Sequence, residues 1–120
     1  MAKDDYDYIV FKILTYSYGV LKHKYNFDKE VFRREITKDI QDEYLSEILY
    51  MMQEDEGFIK GLTFTKAWGG VKILISEYED IRITAEGIRY LNENARMQRI
   101  AKETIEGITL IASLVKAVLF

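Results

Sequence analysis

The stretch FIKGLTFTKAWGGVKILISE, residues 58–77, decides the fold class of this chain. Residues 58–66 and 71–77 are rich in β-branched and aromatic side chains, with a rough alternation of apolar and polar positions that is typical of strands. Between them lie Gly69 and Gly70, which supply the positive φ angles that a tight hairpin turn needs. The stretch therefore predicts a β-hairpin in the middle of the chain.

Three helices are predicted before this hairpin. Apolar residues recur at spacings of three and four over residues 5–22, which indicates one helical face. A short second helix over residues 29–36 can be capped by Asn26 or Asp28, whose side-chain oxygens accept hydrogen bonds from free backbone N–H groups. The third helix is predicted over residues 39–56, with Gly57 as its C-terminal stop.

The pattern after the hairpin predicts a short strand and further helix. Residues 80–83 read as the strand, Thr84 caps a helix over residues 85–95, and residues 96–120 read as one long helix. Three helices, a hairpin and more helix is the order of a winged-helix-like domain, so we predict an α+β fold of that type. An unrelated α+β fold with the same order is the alternative.

We expect one winged-helix-like domain over residues 1–95, followed by a C-terminal dimerisation helix over residues 96–120. The chain has 120 residues, and 48% of them are hydrophobic, which suffices for one core. It has no cysteine, which removes thiol catalysis and cysteine-based zinc sites and fits a cytoplasmic protein. It shows no signal-peptide pattern and no apolar run long enough to span a membrane.

Three segments of this sequence resemble the YjcQ family of small winged-helix-like proteins from Gram-positive bacteria and their prophages. They are MAKDDYDYIVFKILTYSYGVLK (residues 1–22), YLSEILYMMQEDEGFIKGLTF (residues 44–64) and ITAEGIRYLNEN (residues 83–94). The resemblance covers roughly residues 5–94 and leaves out the tail. It implies a winged-helix-like fold and a phage-associated setting, and it carries no catalytic residues.

We expect no catalytic site, no metal and no cofactor. His23 is the sole histidine and lies between two lysines at the end of the first helix, where a solvated cation is the ordinary interpretation. No serine lies in a G-x-S-x-G motif, and no phosphate-loop pattern surrounds Gly69 and Gly70. The acidic run over residues 54–56 lacks the spacing of a calcium-binding loop and is interpreted as a solvated helix face.

Nucleic-acid binding through a basic wing is the first functional hypothesis. Residues 20–38 carry six cations against three acids, and the hairpin adds three lysines and the single tryptophan at its tip. The candidate contacts are Lys22, Lys24, Arg33, Arg34, Lys38, Lys60, Lys66, Trp68 and Lys72. Two alternatives remain open: the lysines protect a strand edge, and the tryptophan packs over the first helix.

The third helix is a poor candidate for insertion into a DNA groove, because residues 39–56 carry seven acids and no Lys or Arg. Its predicted exposed stripe is Asp39, Glu43, Ser46, Glu47, Tyr50 and Glu54. The second hypothesis is therefore a protein-interaction adaptor without nucleic-acid binding, in which Glu43, Glu47 and Glu54 face a basic protein partner.

The tail predicts a homodimer. Between residues 101 and 119, apolar residues repeat at alternating spacings of four and three, and the whole apolar arc spans about 240°, more than one domain core requires. The expected interface consists of Ile105, Ile108, Ile111, Ala112, Leu114, Val115, Val118 and Leu119. Burial within one domain and binding to a membrane surface are the alternatives, and a membrane role is disfavoured because Lys116 is the sole basic residue after Gly107.

Overall fold

A computed structural model describes residues 6–120 and shows a mixed α+β architecture, as the sequence predicts. Ten regular elements follow one another in this part of the chain. They are α1 (Tyr6–Leu21), α2 (Lys29–Val31), α3 (Asp42–Tyr50), β1 (Ile59–Lys60), β2 (Phe64–Lys66), β3 (Lys72–Leu74), β4 (Arg82–Ile83), α4 (Ala85–Glu93), α5 (Ala95–Thr104) and α6 (Leu110–Leu119). A π-helical turn extends α2 over Phe32–Ile36 and another extends α3 over Met51–Asp55.

Helix α1 is the centre of the core. The first helix was predicted to begin at Asp5, which lies outside the described residues, and it ends at Leu21. Its residues 9–17 are all buried, because β4, α4, α5 and α6 pack around it on several sides. A helix that is covered in this way needs apolar side chains around most of its circumference, and α1 has them.

The second helix begins as its sequence indicates. Of the two candidate caps, Asp28 is the one used, since its Oδ1 accepts hydrogen bonds from the N–H groups of Glu30 and Val31. The backbone N–H of Asp28 donates to the Tyr16 hydroxyl at 2.8 Å, which ties the start of α2 to α1.

The third helix begins later than predicted. Asp39 has a positive φ of 66° and lies before the helix, whose first residue is Asp42. The prediction that Asp39 belongs to the exposed stripe of this helix is therefore wrong. The predicted stop at Gly57 is confirmed by its φ of 72°, a conformation that glycine adopts without strain.

The strands form two antiparallel pairs. Strands β2 and β3 make the predicted hairpin, with Phe64 opposite Leu74 and Lys66 opposite Lys72. The predicted strand near residue 82 is also present as β4, which pairs with β1. Helix α3 packs against β3 and so supports the hairpin from one side.

The prediction of one long helix over residues 96–120 is wrong. Asn94 caps α5 through the N–H groups of Arg96 and Met97, and Thr109 caps α6 through that of Ala112. The chain turns between these helices, and α6 packs on α1. Periodicity alone could not reveal this turn, because the apolar repeat at residues 101, 105, 108, 112, 115 and 119 continues through it without interruption.

Candidate functional site

The tip of the β2–β3 hairpin carries the most exposed aromatic side chain within residues 6–120. Trp68 is 99% exposed, so the alternative that it packs over the first helix is wrong. The turn is closed by hydrogen bonds from Ala67 N to Val71 O and from Gly70 N to Ala67 O, and Gly69 and Gly70 have φ angles of 77° and 81°. This turn holds the indole away from the domain, where a base or another planar group can stack on it.

Two lysines lie opposite each other directly below this tip. Lys66 and Lys72 are paired in the register of β2 and β3. Lys66 is exposed, whereas Lys72 is half-buried and holds its Nζ 5.2 Å from the centre of the Tyr50 ring. Like charges directly opposite each other on an antiparallel pair destabilise the pairing. The hairpin therefore carries an unfavourable charge arrangement that an anion would relieve.

A second pair of like charges lies on the other two strands. Lys60 in β1 is paired in register with Arg82 in β4, and both are exposed. The Arg82 guanidinium donates from Nη1 to the carbonyl oxygens of Glu79 and Ile81. Sequence reasoning missed Arg82, because the pairing of β1 with β4 joins segments more than twenty residues apart and leaves no local signal.

Two cations of the basic second-helix region, Lys22 and Arg34, make polar contacts within the domain. Lys22 donates from Nζ to the carbonyl oxygen of Val118 at 2.7 Å and so holds the C-terminal end of α6. Arg34 is paired with Glu30 at 3.0 Å. Lys24 and Lys38 are exposed, and Lys38 lines a cavity of about 490 Å³ beside α1 and the start of α6.

Arg33 is a structural residue in this fold. Its guanidinium donates to the carbonyl oxygens of Thr37 and Ile40 and forms an ion pair with Asp42 at 2.7 Å. These bonds satisfy backbone carbonyl groups of the segment between α2 and α3, so the guanidinium is already engaged within the domain. Arg33 was a predicted nucleic-acid contact, and its position here shows an internal role.

The acidic third helix is partly covered by the hairpin. Glu47 accepts a hydrogen bond through Oε1 from the backbone N–H of Lys72 at 2.7 Å, and Ser46 accepts one through Oγ from that of Leu74 at 3.4 Å. The rings of Tyr50 and Phe64 meet edge to face, with centroids 5.3 Å apart. The prediction of a fully exposed stripe is therefore wrong at Ser46, which is buried, and at Glu47 and Tyr50, which are half-buried.

Part of α3 and its extension remains open to a partner. Glu43 and Glu54 are exposed, as predicted. Tyr44 and Met51 are also exposed, at 43% and 39%. Exposed carboxylates, an aromatic ring and a thioether along one helix and its extension make a surface that a basic, partly apolar protein segment can bind.

The predicted dimer residues divide into three groups. Ala112, Val115 and Val118 are buried inside the subunit, so this part of α6 is covered by its own domain, as one of the alternatives held. Ile108 is fully exposed. The other members are half-buried at the edge of the core: Ile105, Ile111, Leu114 and Leu119. The buried residues cannot meet a second copy without a rearrangement of α6.

His23 is exposed and has a φ of 61° at the turn after α1. Within residues 6–120, no three His, Asp or Glu side chains are grouped so that they could hold a metal ion. No helix in that range is long and apolar enough to cross a membrane.

Comparison with known proteins identifies one family. Residues 11–106 match the family model described as YjcQ protein, which is most of the chain and extends past α4 to the end of α5. No curated protein matches the chain, and neither does any solved structure.

Proposed function

The chain belongs to the YjcQ family, and we propose that it is a non-catalytic, winged-helix-like module that contacts nucleic acid through its hairpin. The observation that carries this proposal is the fully exposed Trp68 above the opposed pair Lys66 and Lys72. A planar ring that stacks on bases and cations that bind phosphates are the two parts of a contact to a nucleic-acid strand. In the cell we place this module in the cytoplasm and in a phage-associated setting.

In this proposal the wing, rather than the third helix, approaches the nucleic acid. Winged-helix proteins commonly insert the third helix into the major groove. Here the hairpin covers Ser46 and Tyr50 of that helix, and its remaining exposed face carries carboxylates, which phosphates repel. Both features favour a contact led by the hairpin.

The single tryptophan makes the proposal directly testable. Because Trp68 is the one tryptophan of the chain, its fluorescence reports on the hairpin tip alone. We expect quenching when single-stranded or duplex oligonucleotides are added at low salt. If Lys60, Lys66 and Lys72 neutralise about three phosphates, affinity should fall about 40-fold between about 50 and 200 mM salt.

Matched variants separate a specific contact from general electrostatics. Lys66→Gln should weaken binding and make the salt dependence shallower by about one phosphate contact. Lys116→Gln removes the same charge from an exposed position on α6 and should change neither. Trp68→Ala should cost about 1–3 kcal/mol of binding free energy. Undetectable binding at low salt, or binding that survives both hairpin substitutions, would refute the proposal.

The open part of the α3 surface supports a second candidate, a protein-interaction adaptor. Its motive is the exposure of Tyr44 and Met51 beside Glu43 and Glu54. Charge reversal at Glu43 and Glu54 should then abolish co-purification of a basic partner, whereas Glu103→Lys on α5 should preserve it. Glu47 is unsuitable for this test, because its carboxylate holds the backbone of β3.

We also propose that the module acts as a homodimer. The motive is the apolar surface at the start of α6, where Ile108 is fully exposed and Leu110 is 52% exposed. Two copies related by a two-fold axis would present two hairpin tips to one nucleic-acid molecule. Sedimentation of the full chain over a range of concentrations tests this part separately from nucleic-acid binding.

A further inference from the structure

The buried faces of α5 and α6 are in phase with each other, although the chain turns between these helices. Each helix buries three residues. They are Met97, Ile100 and Ala101 in α5, and Ala112, Val115 and Val118 in α6. If residues 97–118 are placed on one continuous helix at about 100° per residue, all six fall within an arc of about 120°. If the number of residues in the turn were arbitrary, the buried faces of the two helices would not need to point in the same direction on one continuous helix.

The residue near the centre of this arc, Ile108, is a fully exposed apolar side chain in the turn. On the same continuous helix, Ile108 falls about 20° from the direction of Met97 and Val115. In the structure it is fully exposed, which leaves a large apolar side chain in water. A continuous helix would place Ile108 in line with the residues that are buried on both sides of it.

The turn itself is held by few interactions. The backbone N–H groups of Ile105 and Gly107 bond to the carbonyl oxygens of Ala101 and Thr104, and the Thr109 hydroxyl accepts from Ala112 N. The segment contains no proline, and Gly107 is the only residue in it that strongly disfavours a helix. A continuous helix would keep the bond from Ile105 to Ala101, which already joins residues four apart, and would replace the other two with regular helical ones.

We propose that α6 is exchanged between two copies of this chain. In the exchanged dimer, residues 95–119 form one helix, and each α6 packs on α1 of the other copy through the contacts that it makes here within one subunit. The new contact is the seam around Ile105 and Ile108, which become buried where the two long helices cross. Exchange is a low-cost route to a dimer, because all but the hinge contacts already exist in the monomer. This inference rests on the homodimer proposed above and specifies how it forms; it does not depend on nucleic-acid binding.

The first test examines the full chain without nucleic acid, so its outcome is independent of the hairpin proposal. Sedimentation over a range of concentrations should show a dimer. Isotope-filtered NMR on a mixture of labelled and unlabelled chains should then show contacts between α1 and α6 that join different subunits. A dimer whose α1–α6 contacts all lie within one subunit would overturn the proposal, as would a monomer at every concentration.

Hinge variants give a second, independent readout. Leu110 is the first residue of α6 and follows Thr109, which is extended, so Leu110→Pro is compatible with the turn and breaks a continuous helix. It should abolish the dimer. Leu110→Ala is the control: it removes the same side chain, keeps the helical option and should preserve the dimer. Loss of the dimer in both variants would indicate a rigid surface contact and overturn exchange.

Gly107→Ala tests the hinge in the opposite direction. An added Cβ at Gly107 would approach nothing closer than the Thr104 carbonyl oxygen at 3.6 Å, so the turn tolerates alanine. Alanine favours a continuous helix over glycine by about fivefold at each hinge. Because the dimer contains two hinges, its association constant should rise about 25-fold. An unchanged association constant would contradict a dimer in which residues 95–119 form one continuous helix.

Discussion

Lys66 and Lys72 face each other across the β2–β3 hairpin, one residue pair before the turn that carries Trp68. The repulsion between these two lysines should lower the stability of the fold and favour the binding of an anionic oligonucleotide. We therefore expect Lys66→Glu to raise the free energy of unfolding by about 0.2–1 kcal/mol, because an opposite-charge pair replaces a like-charge pair. The same substitution should weaken oligonucleotide binding. Urea denaturation and fluorescence titration measure the two effects, and a variant that loses both stability and binding would contradict this interpretation.

Tyr25 requires glycine at position 19. Its hydroxyl donates to the Tyr16 carbonyl oxygen at 2.9 Å, and a Cβ built on Gly19 would lie 2.0 Å from that hydroxyl. We expect Gly19→Ala to destabilise the domain by about 1–3 kcal/mol through overpacking. In a Tyr25→Ala background the clash is absent, so Gly19→Ala should instead stabilise α1 by up to about 1 kcal/mol. Thermal unfolding of the four proteins tests this reversal of sign.

Thr15 buries a hydroxyl without a hydrogen-bond partner among residues 6–120. Thr15→Val keeps the shape of the side chain and removes the unsatisfied oxygen, so we expect a gain of about 1 kcal/mol in the free energy of unfolding. Thr37 is the matched control, since it is equally buried and donates from Oγ1 to the Phe32 carbonyl oxygen at 3.0 Å. Thr37→Val should therefore cost about 1 kcal/mol. Denaturation that shows the same sign for both variants would refute this assignment.

Alkaline pH should destabilise the fold through its tyrosines. Burial, followed by the nearby Glu56 carboxylate, raises the pKa of Tyr6 from its ordinary value of 10.0 to about 12, and burial also raises the pKa of Tyr25. The unfolded chain loses these protons near pH 10 while the folded chain keeps them, so the contribution of these tyrosines to stability should be constant below about pH 9 and fall between pH 10 and 12.

Urea denaturation at a series of pH values measures this fall. Tyr6→Phe removes one of the raised groups, and the dependence on pH should become shallower in that variant. Stability that stays level between pH 10 and 12 would show that these hydroxyls do not hold their protons in the fold.

Local features of the sequence were sufficient to predict most elements. The first two helices, the hairpin, the strand near residue 82 and the cap at Thr84 are all confirmed, and Thr84 accepts from Gly87 N at 3.0 Å. Each depends on residues within a few positions of one another: a helical repeat, a side-chain oxygen before a helix, or glycines with positive φ. The family was also recognisable, because its motifs are short and contiguous.

The candidate site was predicted less completely. Lys66, Trp68 and Lys72 are brought together by a local hairpin, and sequence reasoning placed them near one another correctly. It could not show that Lys22 and Arg33 bond to backbone carbonyl groups within the domain, or that Glu47 holds β3. A charged residue has the same appearance in a sequence whether it faces water or satisfies a distant carbonyl.

The sequence by itself determined which segments form helices and which form strands, because local hydrogen bonding and side-chain periodicity act over one or two turns. It also determined that residues 101–119 carry more apolar surface than one face can hide. Only the tertiary structure decided what covers that surface. The turn at residues 105–109 and a continuous helix differ by little more than a cap and one glycine, so within one subunit the packing of α6 on its own α1 favours the turn.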